Sequence, residues 1–158
     1  QRARRPVGFG VWVRREVEPL GPGVAGLRVV LEHRVRAPFD RVLVDAPCSE
    51  LGTLRRGPDL RWRLDPASFL ELPALQLALC ELALKHLRPG GRLVYATCTF
   101  RREGDEAVAL ALEARHPELA RLRPGAPAAC VTPEGFLRTW PHRHGCDGFF
   151  AAAWVRRG

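Results

Sequence analysis

The 158 residues contain no methionine, a single lysine (Lys85) and a single tyrosine (Tyr95). A chain that opens on Gln1 and has no methionine at all is expected to be a piece of a longer one. No apolar run approaches the twenty or so residues that cross a bilayer, so no membrane span is expected. The five cysteines are odd in number, show no paired spacing and follow no secretory leader. Those features point away from a disulfide scaffold and toward a reducing, cytoplasmic setting. Histidine and cysteine come together only in His142-Arg143-His144-Gly145-Cys146. With no second pair of ligands elsewhere, that run reads as a polar turn and no metal is expected. Internal repeats and low-complexity segments are also missing, and 46% apolar content is enough for one packed domain.

What the chain does have is positive charge. The formal net charge is +8, and every basic residue except Lys85 is arginine. Arginine binds phosphate through paired hydrogen bonds and stacks on bases, which favours a nucleic acid over a membrane surface as the anionic partner. An arginine-rich base composition or heat adaptation accounts for the same numbers without any partner.

The first 38 residues are hard to place beyond short strands. Leu27-Arg28-Val29-Val30-Leu31 reads as one of them. Gly21-Pro22-Gly23-Val24-Ala25-Gly26 matches G-x-G-x-x-G, yet a phosphate-cradling loop needs a helix after it and the following residues are β-like, so the run is a turn. From residue 39 the pattern becomes regular. Phe39-Asp40-Arg41-Val42-Leu43-Val44 and Arg92-Leu93-Val94-Tyr95 read as buried parallel strands. Between them a long polar loop, 51–63, precedes a helix whose buried face carries Leu72, Leu75, Leu79 and Leu82 and which stops at Pro89-Gly90-Gly91. A second helix is expected over 103–115. Residues 135–140 and 148–155 then read as an antiparallel hairpin.

Each parallel strand is followed by a cysteine, in Asp45-Ala46-Pro47-Cys48-Ser49 and in Ala96-Thr97-Cys98-Thr99-Phe100. A strand-helix-strand unit brings both thiols to the carboxyl edge of one sheet, where open α/β sheets bind ligands. A buried cysteine taken singly is most often a small core residue, the reading that fits Cys80 and Cys130. The joint pattern at Cys48 and Cys98 is different.

Residues 39–63, FDRVLVDAPCSELGTLRRGPDLRWR, and 87–100, LRPGGRLVYATCTF, resemble the fourth and sixth motifs of the RsmB/Nol1/Nop2/Sun family of RNA 5-methylcytosine methyltransferases. The run 141–150, PHRHGCDGFF, is similar to that family's closing strand, and Gln76 falls where its intervening helix usually has glutamine. The resemblance implies an α/β fold of the class I, Rossmann-like type. It also implies transfer of a methyl group from S-adenosylmethionine to C5 of cytosine in RNA, with rRNA as the family-level partner. By the same resemblance Cys98 attacks C6 of the base, Cys48 assists release of the product, and Asp45 borders both cofactor and base. C5 of cytosine is a weak nucleophile, and thiolate addition at C6 activates it by covalent catalysis. An electropositive setting supplied by nearby arginines is expected to favour the thiolate. Arg55, Arg56, Arg61 and Arg63 are candidates for guiding RNA, with Trp62 expected to pack rather than to stack on a base.

The family's upstream glycine-rich cofactor loop, Ala-Pro-Gly-Gly-Lys-Thr, does not occur in these residues. The expected architecture is therefore an incomplete methyltransferase domain: residues 1–38 of uncertain structure, then residues 39–158 as its C-terminal half. A non-catalytic RNA-binding module that kept the fold and charge is the alternative.

Overall fold

The computed structural model describes residues 13–21, 24–31 and 38–158. Pro22-Gly23 of the expected turn lies outside them. The chain divides into two compact units, the second beginning at Ala37. In the first, β1 (Val13–Gly21) pairs antiparallel with β2 (Val24–Leu31), from Val13↔Leu31 to Gly21↔Val24. Val24, Ala25 and Gly26 of the glycine pattern already lie in β2, so a strand and not a helix continues from it, and it is no phosphate-cradling loop.

The second unit is a five-stranded mixed sheet. Its strands are β3 (Phe39–Asp45), β4 (Leu87–Thr97), β5 (Leu119–Arg121), β6 (Leu137–Arg138) and β7 (Phe150–Arg156). The spatial order is β3-β4-β7-β5, and β6 also pairs with β7. β3 and β4 run parallel, while β7 is antiparallel to β4, β5 and β6. β5 and β6 lie along the same edge of β7, facing its two ends. The helices are α1 (Leu60–Arg63), α2 (Ser68–Lys85), α3 (Glu106–Arg115) and α4 (Pro141–His144).

Period-two alternation decides which side of this sheet is the core. Leu93, Tyr95 and Thr97 of β4 are fully buried, and across the ladder they meet Trp154, Ala152 and Phe150 of β7, which are also buried. Trp154 Nε1–H donates to Glu113 of α3 at 2.6 Å, which places that helix over this face. The opposite face carries half-buried Val94 and Ala96 and the exposed Leu43. α2 buries Leu72, Leu77, Leu79, Cys80 and Leu84, a wider stripe than the four expected leucines, and Leu75 and Leu82 flank it half-buried.

Four details depart from the sequence reading. β5 was not expected, because three residues give too short a run for any periodicity to register. The second helix begins at Glu106 rather than 103, since 102–104 form a separate 3-10 turn. The terminal hairpin is interrupted by α4, whose Pro141 sits at a first-turn position that needs no amide. Cys130 is half-buried rather than a core residue.

A charged cluster pins the carboxyl end of β4 beneath this core. Thr97 Oγ1 donates to Asp105 at 2.6 Å, and Arg138 Nη2 bridges Asp105 and Glu106 at 2.8 Å each, all four side chains being buried. Burial is the largest influence on the Asp105 carboxyl and raises it to about 7; Thr97 and Arg138 oppose this and Glu106 adds to it. A carboxyl raised on folding contributes stability that is complete below its ordinary value near 4 and is lost as pH rises through about 7. Thermal unfolding between pH 4 and 7.5 should therefore show the wild type losing stability with rising pH relative to Asp105→Asn, which cannot ionise. Parallel curves for the two proteins would show that Asp105 does not titrate in this range.

Candidate active site at the carboxyl edge of the sheet

The parallel register pairs Asp45 with Ala96, and Ala46 N–H donates to Ala96 O at 3.0 Å. The loops leaving the two strands continue side by side. Cys48 Sγ and Cys98 Sγ are 3.3 Å apart, and one residue further on Ser49 Oγ and Thr99 Oγ1 are 2.7 Å apart. Both cysteines are half-buried, so neither sulfur is sealed in the core.

Gly52 closes the arrangement. Its N–H donates to Cys98 O, and its carbonyl accepts from Gly148 N–H, both at 2.9 Å. A Cβ at Gly52 would lie 1.9 Å from Gly148 O and 2.8 Å from Cys98 O, so only glycine fits where three loops meet. Glu50 occupies the left-handed region (φ 55°), a conformation that costs an L-residue roughly 1–2 kcal/mol. Its carbonyl accepts from Thr53 N–H at 2.9 Å and from Thr53 Oγ1 at 2.8 Å. From α2, buried Gln76 donates its Nε2–H to Pro47 O at 2.9 Å and so fixes the residue before Cys48.

The two thiols have opposite electrostatic settings. The hydrogen bond from Cys98 is the largest influence on Cys48 and holds it below the ordinary thiol value, with backbone bonds at Glu50 and Cys98 adding to the effect against burial. The same sulfur-sulfur bond, then burial, then the negative charges of Cys48, Glu50 and Asp45 push the Cys98 thiol up. The pair therefore gives up one proton readily and holds the second. Among the described residues the charges acting most on Cys98 are its partner's thiolate and the carboxylates of Glu50 and Asp45, where an arginine field was expected.

The arginines are engaged elsewhere. Arg55 Nη1 donates to Gly145 O at 3.2 Å, and Arg56 forms an ion pair with Asp147. Both are exposed, and they tie the loop after Cys48 to the segment after α4. Trp62 is 78% exposed with the Arg61 guanidinium 4.8 Å above its ring, contrary to the packed position expected. α1 is a single turn that holds Leu60 inward and leaves the two following side chains in solvent. The Arg63 side chain lies outside the described residues. Asp45, at the last position of β3, is exposed.

The family model for 16S rRNA methyltransferases RsmB/F matches residues 26–155. The chain belongs to this family. Ribosomal RNA small subunit methyltransferase F of Escherichia fergusonii is 46% identical over 120 residues, which are 72% of this chain and 25% of that protein. NSun6 from Pyrococcus horikoshii, solved with SFG, gives a TM-score of 0.66 at 28% identity over 77% of this chain and 31% of its own. A methyltransferase homologue from Pyrococcus horikoshii gives 0.59 at 31% identity, covering 76% and 40%. The fold is thus the Rossmann-like α/β fold of S-adenosylmethionine-dependent methyltransferases. The chain spans about a quarter of the length of the curated relatives it matches. Among the described residues, no helix is long and apolar enough to cross a membrane, and no group of three His, Cys, Asp or Glu side chains could hold a metal ion.

Sequence reasoning had singled out both thiols, Asp45 and Gln76. It missed the pairing of Ser49 with Thr99, the glycine junction and the Thr97-Asp105-Arg138 chain. The acidic pair Asp105-Glu106 was visible, but nothing in its spacing pointed to an arginine 32 residues on.

Two expected outcomes follow from this geometry. In pH-dependent alkylation read by mass spectrometry, Cys48 should react at lower pH than an ordinary thiol in a short model peptide, and Cys98→Ala should move Cys48 back up. Cys48 titrating like the model peptide in both proteins would rule out the shared proton. Gly52→Ala should cost roughly 1–3 kcal/mol in urea unfolding, the usual range for overpacking.

Proposed function

We propose that residues 39–158 are the C-terminal half of a methyltransferase catalytic domain whose site methylates C5 of cytosine in rRNA. The observation that carries this reading is the pair of half-exposed sulfurs 3.3 Å apart at the carboxyl edge of parallel strands. S-adenosylmethionine, when bound, supplies the electrophilic methyl group. The exposed Asp45 carboxylate at the end of β3 suits the hydrogen-bond donors and positive charge of that cofactor, and is the residue present here that would help hold it.

The thiols divide the remaining work. Cys98 adds to C6 of the base, and the electron pair displaced from the C5–C6 double bond makes C5 nucleophilic. The Cys98 proton must leave for this, and Cys48 Sγ, 3.3 Å away, is an acceptor within reach. Once C5 carries the methyl group, a base removes its proton, the double bond re-forms and the Cys98 thiolate departs. Cys48, beside the breaking bond, assists that release.

The target base has to leave its stack to reach the sulfurs, which favours single-stranded or looped RNA. Exposed Arg55 and Arg56 border the entrance in this reading, and the protein acts in the cytoplasm. The donors gathered on Cys48 favour a second reading in which Cys48 is the attacking thiolate.

The test is covalent trapping on RNA carrying 5-fluorocytosine, with the full-length gene product and S-adenosylmethionine. Cys98→Ala should abolish the adduct, whereas Cys48→Ala should still form it and, on RNA with ordinary cytosine, turn over at least a hundredfold more slowly, the usual scale of a lost proton-transfer group. Trapping that needs Cys48 and survives loss of Cys98 would reverse the roles. No methylation by the wild type would leave the RNA-binding alternative.

A further inference from the structure

A cleft of about 300 Å³, at the lower end of the range for ligand sites, lies along the segment that follows Cys98. It opens next to Phe100, two residues beyond Cys98, between the start of α3, the 129–134 segment and α4. One wall is aromatic: Phe100 and Trp140 stack with ring centroids 5.9 Å apart.

Three guanidinium groups line the cleft, from Arg102, Arg138 and Arg143, against two carboxylates, Glu106 and Glu134. They differ in what they have left to offer. Arg138 is 6% exposed; its Nε and Nη2 are bound to Glu106 and Asp105, but its buried Nη1 has no hydrogen-bond partner among the described residues. Arg102 reaches Glu134 at 3.1 Å through an exposed pair of the kind that contributes little. Arg143 is exposed on α4 and has no ion-pair partner among the described residues. An aromatic wall lined by one arginine without an ion-pair partner, Arg143, and one in an exposed pair, Arg102, is the kind of surface that single-stranded nucleic acid uses, stacking on rings and placing phosphates on guanidinium groups.

We propose that this cleft seats the nucleotide next to the target cytosine, with the phosphodiester between the two held by Arg143 and Arg102. The proposal rests on the RNA reading above and adds a second subsite to it. It gives the 129–134 segment and α4 a role in choosing the RNA, and it orients the strand so that the cytosine faces Cys98.

The test is RNA binding by the full-length gene product, followed by fluorescence anisotropy with a labelled single-stranded pentamer that has cytosine only at its centre. Arg143→Ala, at an exposed position, should weaken binding roughly tenfold, the loss of one charged contact. It should also lower the slope of log affinity against log salt by about 0.7. A neutral methylphosphonate in one of the two linkages flanking the cytosine should cost the wild type a similar factor and cost Arg143→Ala clearly less, because only Arg102 is then left to hold that phosphate. Wild-type affinity in Arg143→Ala, or equal losses in both proteins from the neutral linkage, would overturn the subsite while leaving RNA binding intact. A wild-type chain with no salt-dependent affinity for the pentamer would sink the subsite together with the RNA reading beneath it.

Discussion

The pairing of β3 with β4 is the constraint from which the site follows. Because the strands are parallel and in register from Arg41↔Arg92 to Asp45↔Ala96, their continuing loops leave the sheet at the same height and in the same direction. Three residues past Asp45 and two past Ala96, sulfur meets sulfur, and hydroxyl meets hydroxyl one position further on. A slip of one residue would send every side chain to the opposite face and part the thiols. The buried ladder of β4 against β7 sets the cost of such a slip, since Leu93, Tyr95 and Thr97 would exchange places with residues suited to the half-open side.

Position alone does not hold two sulfurs in contact; the loops around them are also braced. Gly52 joins the Cys98 carbonyl to Gly148, Gln76 fixes Pro47, and Arg56 pairs with Asp147 across the same opening. Below the thiols, Thr97 is tied through Asp105 to Arg138 on β6, so the terminal strands reach back to the residue that precedes Cys98. Most of these braces use backbone groups or buried side chains, which lose little further freedom when a substrate binds.

Much of this was legible from the chain because its signals were local. β3, β4, the long helix and the closing strand all carry periodic apolar residues bounded by proline or glycine, and the two cysteine runs follow directly from the strand ends. What the sequence hid was contact between distant residues. Arg138 reads like any surface arginine until its strand places it 2.8 Å from Asp105 and Glu106. Arg55 and Arg56 read as a bare basic pair, and only the return of 145–147 shows that they bind protein. Trp62 misled because tryptophan is usually buried, and a single helical turn on a loop gives it nothing to pack beneath.

One feature of the sheet reaches past the site. Among the described residues β3 stands last in the strand order, hydrogen-bonded to β4, with Leu43 56% exposed beside Asp45. A strand laid alongside a terminal strand continues the sheet by main-chain pairing, so one added there would extend the floor on which Asp45 stands.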